Sequence, residues 1–198
     1  VEVRVELSQT SAGKRMLLFA RKPAPVQVSF AGYPAGTGLE AIEYRVSDPW
    51  LEGRGMEKAE GQMTKDAQAG GEVCLIDSFW CYDPCGLELT VSELPAQKSG
   101  VITFGSLNNF CKVNESLLKL WARVLKAINH SRLVILSHEG SHREKTLQFL
   151  DQEGIESRRV EFIAPCPREE YLKLYHRLDV VLDTFPYNGH TTSLDALW

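Results

Sequence analysis

"SRLVILSHEGSHREKTLQFLDQEGIESRRVEFIAP" runs from Ser131 to Pro165, and its hydropathy changes period twice. "SRLVILS" and "RRVEFIAP" are short apolar runs bounded by turn residues, which read as buried strands. Between them "HREKTLQFLDQEG" has helical spacing, with Gly154 as the residue that closes the helix. A strand, a helix and a strand in that order require a crossover, so the two strands are expected to be parallel.

The same alternation extends in both directions. Before it come "VITFGSLNN" (101–109) as a strand and "NESLLKLWARVLKAIN" (114–129) as a helix, in which Leu117, Leu118, Leu120, Trp121, Val124, Leu125 and Ile128 recur on one face. After it come the helix "REEYLKLYHRL" (168–178), the strand "DVVLDTF" (179–185) and the start of a helix, "TSLDALW" (192–198). This βαβαβαβα order predicts a Rossmann-like layered α/β unit. The first half is less regular. Strands are expected in "VEVRVEL", "PVQVSFAGY", "EYRVSD" and "EVCLIDSFW", a short helix near "GKRMLLFA", and a mobile surface loop over residues 53 to 72. "TVSELPAQKSG" reads as a linker, placing a boundary near residue 96.

With 198 residues and 43% hydrophobic content, the chain has enough apolar side chains for a sizeable core. The net charge of −4 comes without any basic block, which argues against nucleic acid and anionic membrane as partners. No apolar run approaches the roughly 20 residues of a membrane span. The chain begins on Val1 and stops at Trp198 inside an expected helix, so it reads as a fragment of a larger protein. Five cysteines, an odd number at irregular spacing, fit a reduced cytoplasmic setting and no zinc cluster.

Ligands of open parallel sheets bind beyond the carboxyl ends of the strands. That rule gathers "GSLNNFCK", "SHEGSH", "APCPREE" and "PYNGHTTSLD" on one rim. The last could hold an anion, since Gly189 permits a tight turn and Thr191 and Thr192 offer hydroxyls and N–H groups at a helix start. It could equally be a plain helix start, with a threonine as N-cap and Asp195 as a favourable charge. Lys112 could supply a point charge to a phosphate on the same rim or be solvated surface. Tyr171 could stack on a base or pack its helix. "HEGSH" (138–142) matches the zinc-peptidase pattern in letters, but that chemistry needs both histidines on one helical face, and here the motif follows a strand and contains Gly140 and Ser141. Ser141 is a candidate cap for the helix that follows.

In order, these segments resemble the catalytic region of the O-GlcNAc transferase and SPINDLY-like glycosyltransferases, particularly bacterial members with upstream tetratricopeptide repeats. The resemblance rests on "FARKPAPVQVSFAGYPAGTGLEAIEYRVSDP" (19–49), "SFWCYDP" (78–84), "FGSLNNFCKVNESLLKLWARVL" (104–125) and "LYHRLDVVLDTFPYNGHTTSLDALW" (174–198). It implies a GT-B fold, with residues 1–95 as the end of the acceptor-side Rossmann-like lobe and 96–198 as the start of the nucleotide-sugar-binding lobe. It also implies inverting transfer without metal or other cofactor, from UDP-GlcNAc to Ser or Thr hydroxyls of a protein or peptide acceptor, in the cytoplasm. SPINDLY-type relatives imply GDP-fucose as the alternative donor, and a noncatalytic nucleotide-binding scaffold is a further alternative.

Position by position, Lys112 matches the lysine that stabilises the leaving diphosphate, and Asn109 stands where animal enzymes have a glutamine near it. His190, Thr191 and Thr192 match the phosphate-binding "GHTT" element, and Asp195 matches the carboxylate that receives the ribose hydroxyls. Cys166 and Arg168 align with the loop at the uracil, and Tyr171 aligns with a base-stacking histidine, keeping the aromatic face but not the titratable group. Gly32, Tyr33 and Pro34 match the "GYP" turn of the sugar pocket, with Tyr187 facing it. "SQTS" (8–11) stands where many bacterial relatives carry a histidine, so the resemblance supplies a leaving-group stabiliser but no general base.

Overall fold

The computed structural model describes residues 2–7, 15–32, 36–53, 63–65 and 71–198. The chain divides into two compact units, Val1–Cys81 and Tyr82–Trp198.

The first unit has strands β1 (Val3–Glu6), β2 (Val26–Ser29), β3 (Tyr44–Ser47), β4 (Met63–Lys65) and β5 (Glu72–Leu75), with helix α1 (Met16–Ala20) between β1 and β2. They form one sheet in the order β1-β2-β3-β5-β4. All neighbours are parallel except β4, which runs antiparallel to β5 at the edge. Part of the stretch expected as a surface loop is therefore a strand; three residues carry too little alternation to reveal one. Val73 and Leu75 of β5 are fully buried with Phe19, Ile42 and Phe79. Asp48, also buried, accepts the Leu51 N–H at 2.8 Å and the Phe79 N–H at 2.7 Å, so the carboxylate is satisfied by backbone donors.

The second unit is the one that sets the site. Its sheet runs β8 (Val160–Ile163), β7 (Arg132–Leu136), β6 (Thr103–Ser106), β9 (Val180–Val181), all parallel. Helix α2 (Pro95–Ser99) precedes β6, and α3 (Glu115–Ala127), α4 (Ser141–Gln152), α5 (Arg168–Leu174) and α6 (Thr191–Leu197) follow β6, β7, β8 and β9 in turn. The expected alternation is present element by element. β7 shows why its sequence is a continuous apolar run: both faces of a parallel sheet are covered. Leu133 and Ile135 face a core with Trp121, Leu117 and Leu125 of α3 and Leu150 of α4, whereas Val134 packs on the other side with Leu107 and Leu178. Gly105 of β6 lies under Leu178, where an added Cβ would come within 2.4 Å of a methyl carbon.

The helix ends follow local chemistry. The Asn114 side chain accepts the Leu117 N–H at 3.0 Å and so caps α3. Arg159 donates to the Leu125, Ile128 and Ser131 carbonyls at the other end of α3. Gly154, at φ +79°, ends α4 as its sequence position suggested. Ser141 begins α4 but makes no cap bond. Residues 82–95, read from the sequence as part of the first lobe, go with the second unit. The long-range bond from Tyr82 to Asp195 fits this. The α/β class with parallel sheets stands as read from the sequence.

Candidate functional site

The carboxyl ends of β6, β7, β8 and β9 surround a cavity of about 370 Å³. Its walls include Asn108, Asn109 and Phe110 after β6, Ser137 and His138 after β7, Pro165, Arg168 and Tyr171 after β8, and Thr191, Thr192 and Asp195 after β9. Six of the residues singled out from the sequence therefore share one cavity: Asn109, Arg168, Tyr171, Thr191, Thr192 and Asp195.

Lys112, Tyr187 and His190 meet beside it. The Lys112 ammonium donates to the Asn188 carbonyl at 2.7 Å and sits 4.6 Å from the centre of the Tyr187 ring. Burial pulls the Lys112 pKa down, against the opposing pull of Asp183 and Cys111. Burial lowers the His190 pKa too, and the nearby Lys112 charge adds to the effect, which favours a neutral imidazole. Asn109 caps the short 3-10 turn Phe110–Lys112 by accepting the Cys111 N–H at 3.1 Å, fixing the turn that carries Lys112.

The loop before α6 is organised by two residues that the sequence reading passed over. Asp183 accepts the N–H groups of Thr184 and Gly189, both at 2.7 Å, the Ser193 hydroxyl at 3.1 Å and the Asn108 amide at 3.0 Å. Burial acts to raise the Asp183 pKa, but these donors outweigh it and hold the carboxyl below its ordinary value. Asn108 in turn accepts the Thr192 hydroxyl through its amide oxygen. Neither threonine occupies the cap position of α6; His190 does, and its side chain does not cap the helix. The plain N-cap reading of "GHTT" is thus replaced by a loop locked from below. At Gly189 an added Cβ would lie 2.2 Å from the Ser193 hydroxyl, 2.7 Å from that of Thr192 and 2.8 Å from the Asn108 amide oxygen. Gly189→Ala is expected to lower stability by about 1–3 kcal/mol through overpacking, seen as a lower Tm; an unchanged Tm would show that the loop is not locked.

Asp195 is no surface charge on a helix dipole. Its side chain is 1% exposed and is held by both ends of the Arg168 guanidinium and by the Tyr82 hydroxyl at 2.8 Å. The Arg168 pKa is raised, chiefly by its bonds to Asp195. Tyr171 stands edge-on to Tyr175, with ring centres 5.6 Å apart. The Tyr175 hydroxyl donates to the Thr192 carbonyl, which leaves the Tyr171 hydroxyl to donate to Tyr175 at 2.8 Å. Burial pushes the Tyr171 phenol up to about 12. Tyr171 both packs its helix and offers a ring to the cavity.

The other sequence candidates lie elsewhere. Cys166 is half-buried and does not line the cavity, its thiol pKa raised by burial and then by Glu170. Gly32 belongs to the first unit, its N–H bonded to the Phe30 carbonyl, and Tyr33, Pro34 and the "SQTS" stretch lie outside the described residues. His138 follows β7 in a loop, Gly140 breaks the chain direction at φ +154°, and His142 lies in α4 with its Nε2 2.7 Å from the Ser137 hydroxyl. The two histidines do not share a helical face, so the zinc-peptidase pattern is a coincidence of letters. Among the described residues no helix is long and apolar enough to cross a membrane.

The chain is similar to known proteins in both sequence and fold. The sequence profile of glycosyl transferase family 41 matches residues 87–198. Proteins named probable UDP-N-acetylglucosamine–peptide N-acetylglucosaminyltransferase SPINDLY from Petunia hybrida and Arabidopsis thaliana are each 37% identical over 202 residues, covering all of this chain and 21% of their own length. The Arabidopsis thaliana protein named SEC, with the same probable activity, is 26% identical over 212 residues, again across the whole chain and 20% of its own length. A solved structure of a mutant O-GlcNAc transferase from Thermobaculum terrenum superposes with a TM-score of 0.78 at 29% identity, covering all of this chain and 36% of that one. The chain thus spans about a fifth of the length of these curated relatives.

Proposed function

Because this chain belongs to glycosyl transferase family 41, we propose that it carries the donor-binding half of an inverting transferase that moves GlcNAc from UDP-GlcNAc to a Ser or Thr hydroxyl of a protein. The observation that carries this reading is the Lys112 ammonium, which donates to the Asn188 carbonyl and faces the Tyr187 ring, just before the segment whose Thr191 and Thr192 line the cavity. In the transfer the acceptor oxygen attacks the anomeric carbon, the bond from that carbon to the diphosphate breaks, and the acceptor proton passes to solvent. The bond-breaking electrons pass to a diphosphate oxygen, where negative charge builds up. Lys112 is a fixed cation for that charge and requires no metal ion beside it. Thr191 and Thr192 offer hydroxyls and N–H groups to the phosphates, and Asn109 holds the turn that aims the lysine. At the nucleoside end Tyr171 supplies an aromatic face. Asp195, a cavity wall held in place by Arg168 and Tyr82, is the carboxylate for the ribose hydroxyls.

One alternative, implied by the resemblance to SPINDLY-like enzymes, is transfer of fucose from GDP-fucose by the same site. Calorimetric titration of the intact protein with UDP-GlcNAc and with GDP-fucose, in the presence of EDTA, separates the two. We expect tighter binding of UDP-GlcNAc by at least about tenfold, equivalent to 1.4 kcal/mol; the reverse order moves the assignment to the fucosyl donor. Donor binding without transfer or donor hydrolysis would mark a noncatalytic scaffold.

A further inference from the structure

We propose that Tyr82 is a positioning residue for the nucleoside end of the donor, acting through Arg168 and Asp195; the inference rests on the donor-binding reading above. Tyr82 is the first residue of the second unit and lies 113 residues before Asp195 in sequence. Its hydroxyl donates to Oδ1 of Asp195 at 2.8 Å, and Nη2 of Arg168 lies 3.4 Å from the same hydroxyl oxygen. The guanidinium spans both carboxylate oxygens. Two side chains therefore close on one buried carboxylate, and each of the three groups fixes the other two.

Without the phenol, the Arg168–Asp195 pair could pivot about its fork, since Oδ1 would lose its second donor. With it, the carboxylate plane is set, and so is the guanidinium, whose carbon lies 5.6 Å from the centre of the Tyr171 ring. Arg168, Tyr171 and Asp195 are cavity walls, whereas Tyr82 is not and reaches the cavity through Asp195 and Arg168. The Tyr82 ring is itself held by Trp198, with ring centres 6.0 Å apart. Burial, and then the Asp195 charge, raise the phenol pKa, so the hydroxyl remains a donor across the neutral range. The phosphate half of the site, around Lys112 and Gly189, hangs on a separate set of bonds centred on Asp183 and Asn108. The two halves can thus be probed apart.

The test is Tyr82→Phe in the intact protein, which keeps the ring and deletes the hydroxyl. Affinity is measured for UDP-GlcNAc and for inorganic diphosphate, with steady-state kinetics alongside. We expect the Kd and KM for UDP-GlcNAc to rise about tenfold, the scale of one hydrogen bond to a charged group, with diphosphate affinity and kcat unchanged. Parallel weakening of both ligands together with a lower Tm would mean that Tyr82 only supports the fold, and an unchanged UDP-GlcNAc affinity would likewise overturn the proposal. Should the unsubstituted protein bind diphosphate but not UDP-GlcNAc, the donor assignment fails first and this inference falls with it.

Discussion

Replacing Lys112 by alanine is expected to lower kcat on the order of 10³-fold, equivalent to about 4 kcal/mol of lost transition-state stabilisation, with the fold retained. The ammonium lies at the end of a three-residue turn, and its one hydrogen bond among the described residues goes to a loop carbonyl. It supports little else, so its removal should be nearly silent in the circular dichroism spectrum. What it supplies is a positive charge held in place before the reaction, partly desolvated and therefore stronger than the same charge in water. Because burial lowers the Lys112 pKa, the rate is expected to fall on the alkaline side at a pH below that of an ordinary lysine, as the cation is lost. Initial rates of the intact protein at saturating donor measure the effect. Turnover of Lys112→Ala within tenfold of the unsubstituted protein would remove Lys112 from the mechanism.

Trp121→Ala is expected to be the most destabilising single change in the second unit, at about 3–5 kcal/mol. Trp121 is 2% exposed and packs at the centre of the cluster formed by α3, α4 and the sheet, with Phe104, Leu133 and Ile135 among its members. Alanine would leave a void that these neighbours, fixed in a four-stranded sheet, cannot collapse to fill. The loss also reaches the site. Asn114, which caps α3, donates to the Phe185 carbonyl in the loop before α6, so loosening α3 loosens the anchorage of that loop. Urea denaturation followed by circular dichroism reads the stability change, and a cost below 1 kcal/mol would contradict the packing described above.

The contrast between these two residues explains what could be read in advance. Trp121 was legible because helical burial repeats every three or four positions and covered parallel strands are unbroken apolar runs. Lys112 was legible only as a loop cation until the resemblance gave it a partner loop. The bonds that shape the site left no periodic trace. Asn108 and Asp183 are 75 residues apart, and Tyr82 and Asp195 are 113. Asp183 fell inside the expected strand "DVVLDTF" and Asn108 inside "VITFGSLNN", with nothing in either stretch to pair them. Asp195 sat at the correct helical position, but its sequence neighbours said nothing of Arg168. The boundary near residue 96 followed composition, whereas the first contacts of the second unit are made by Tyr82. Only three-dimensional partners distinguish a linker from a segment already docked.

Asn108 uses its amide nitrogen for Asp183 and its amide oxygen for Thr192, so a single side chain reads two distant positions at once. Aspartate there would meet Asp183 with like charge, and leucine would strand both partners. The three positions are therefore expected to drift together over evolutionary time, any one of them free to change only in descendants where the other two have already moved to suit.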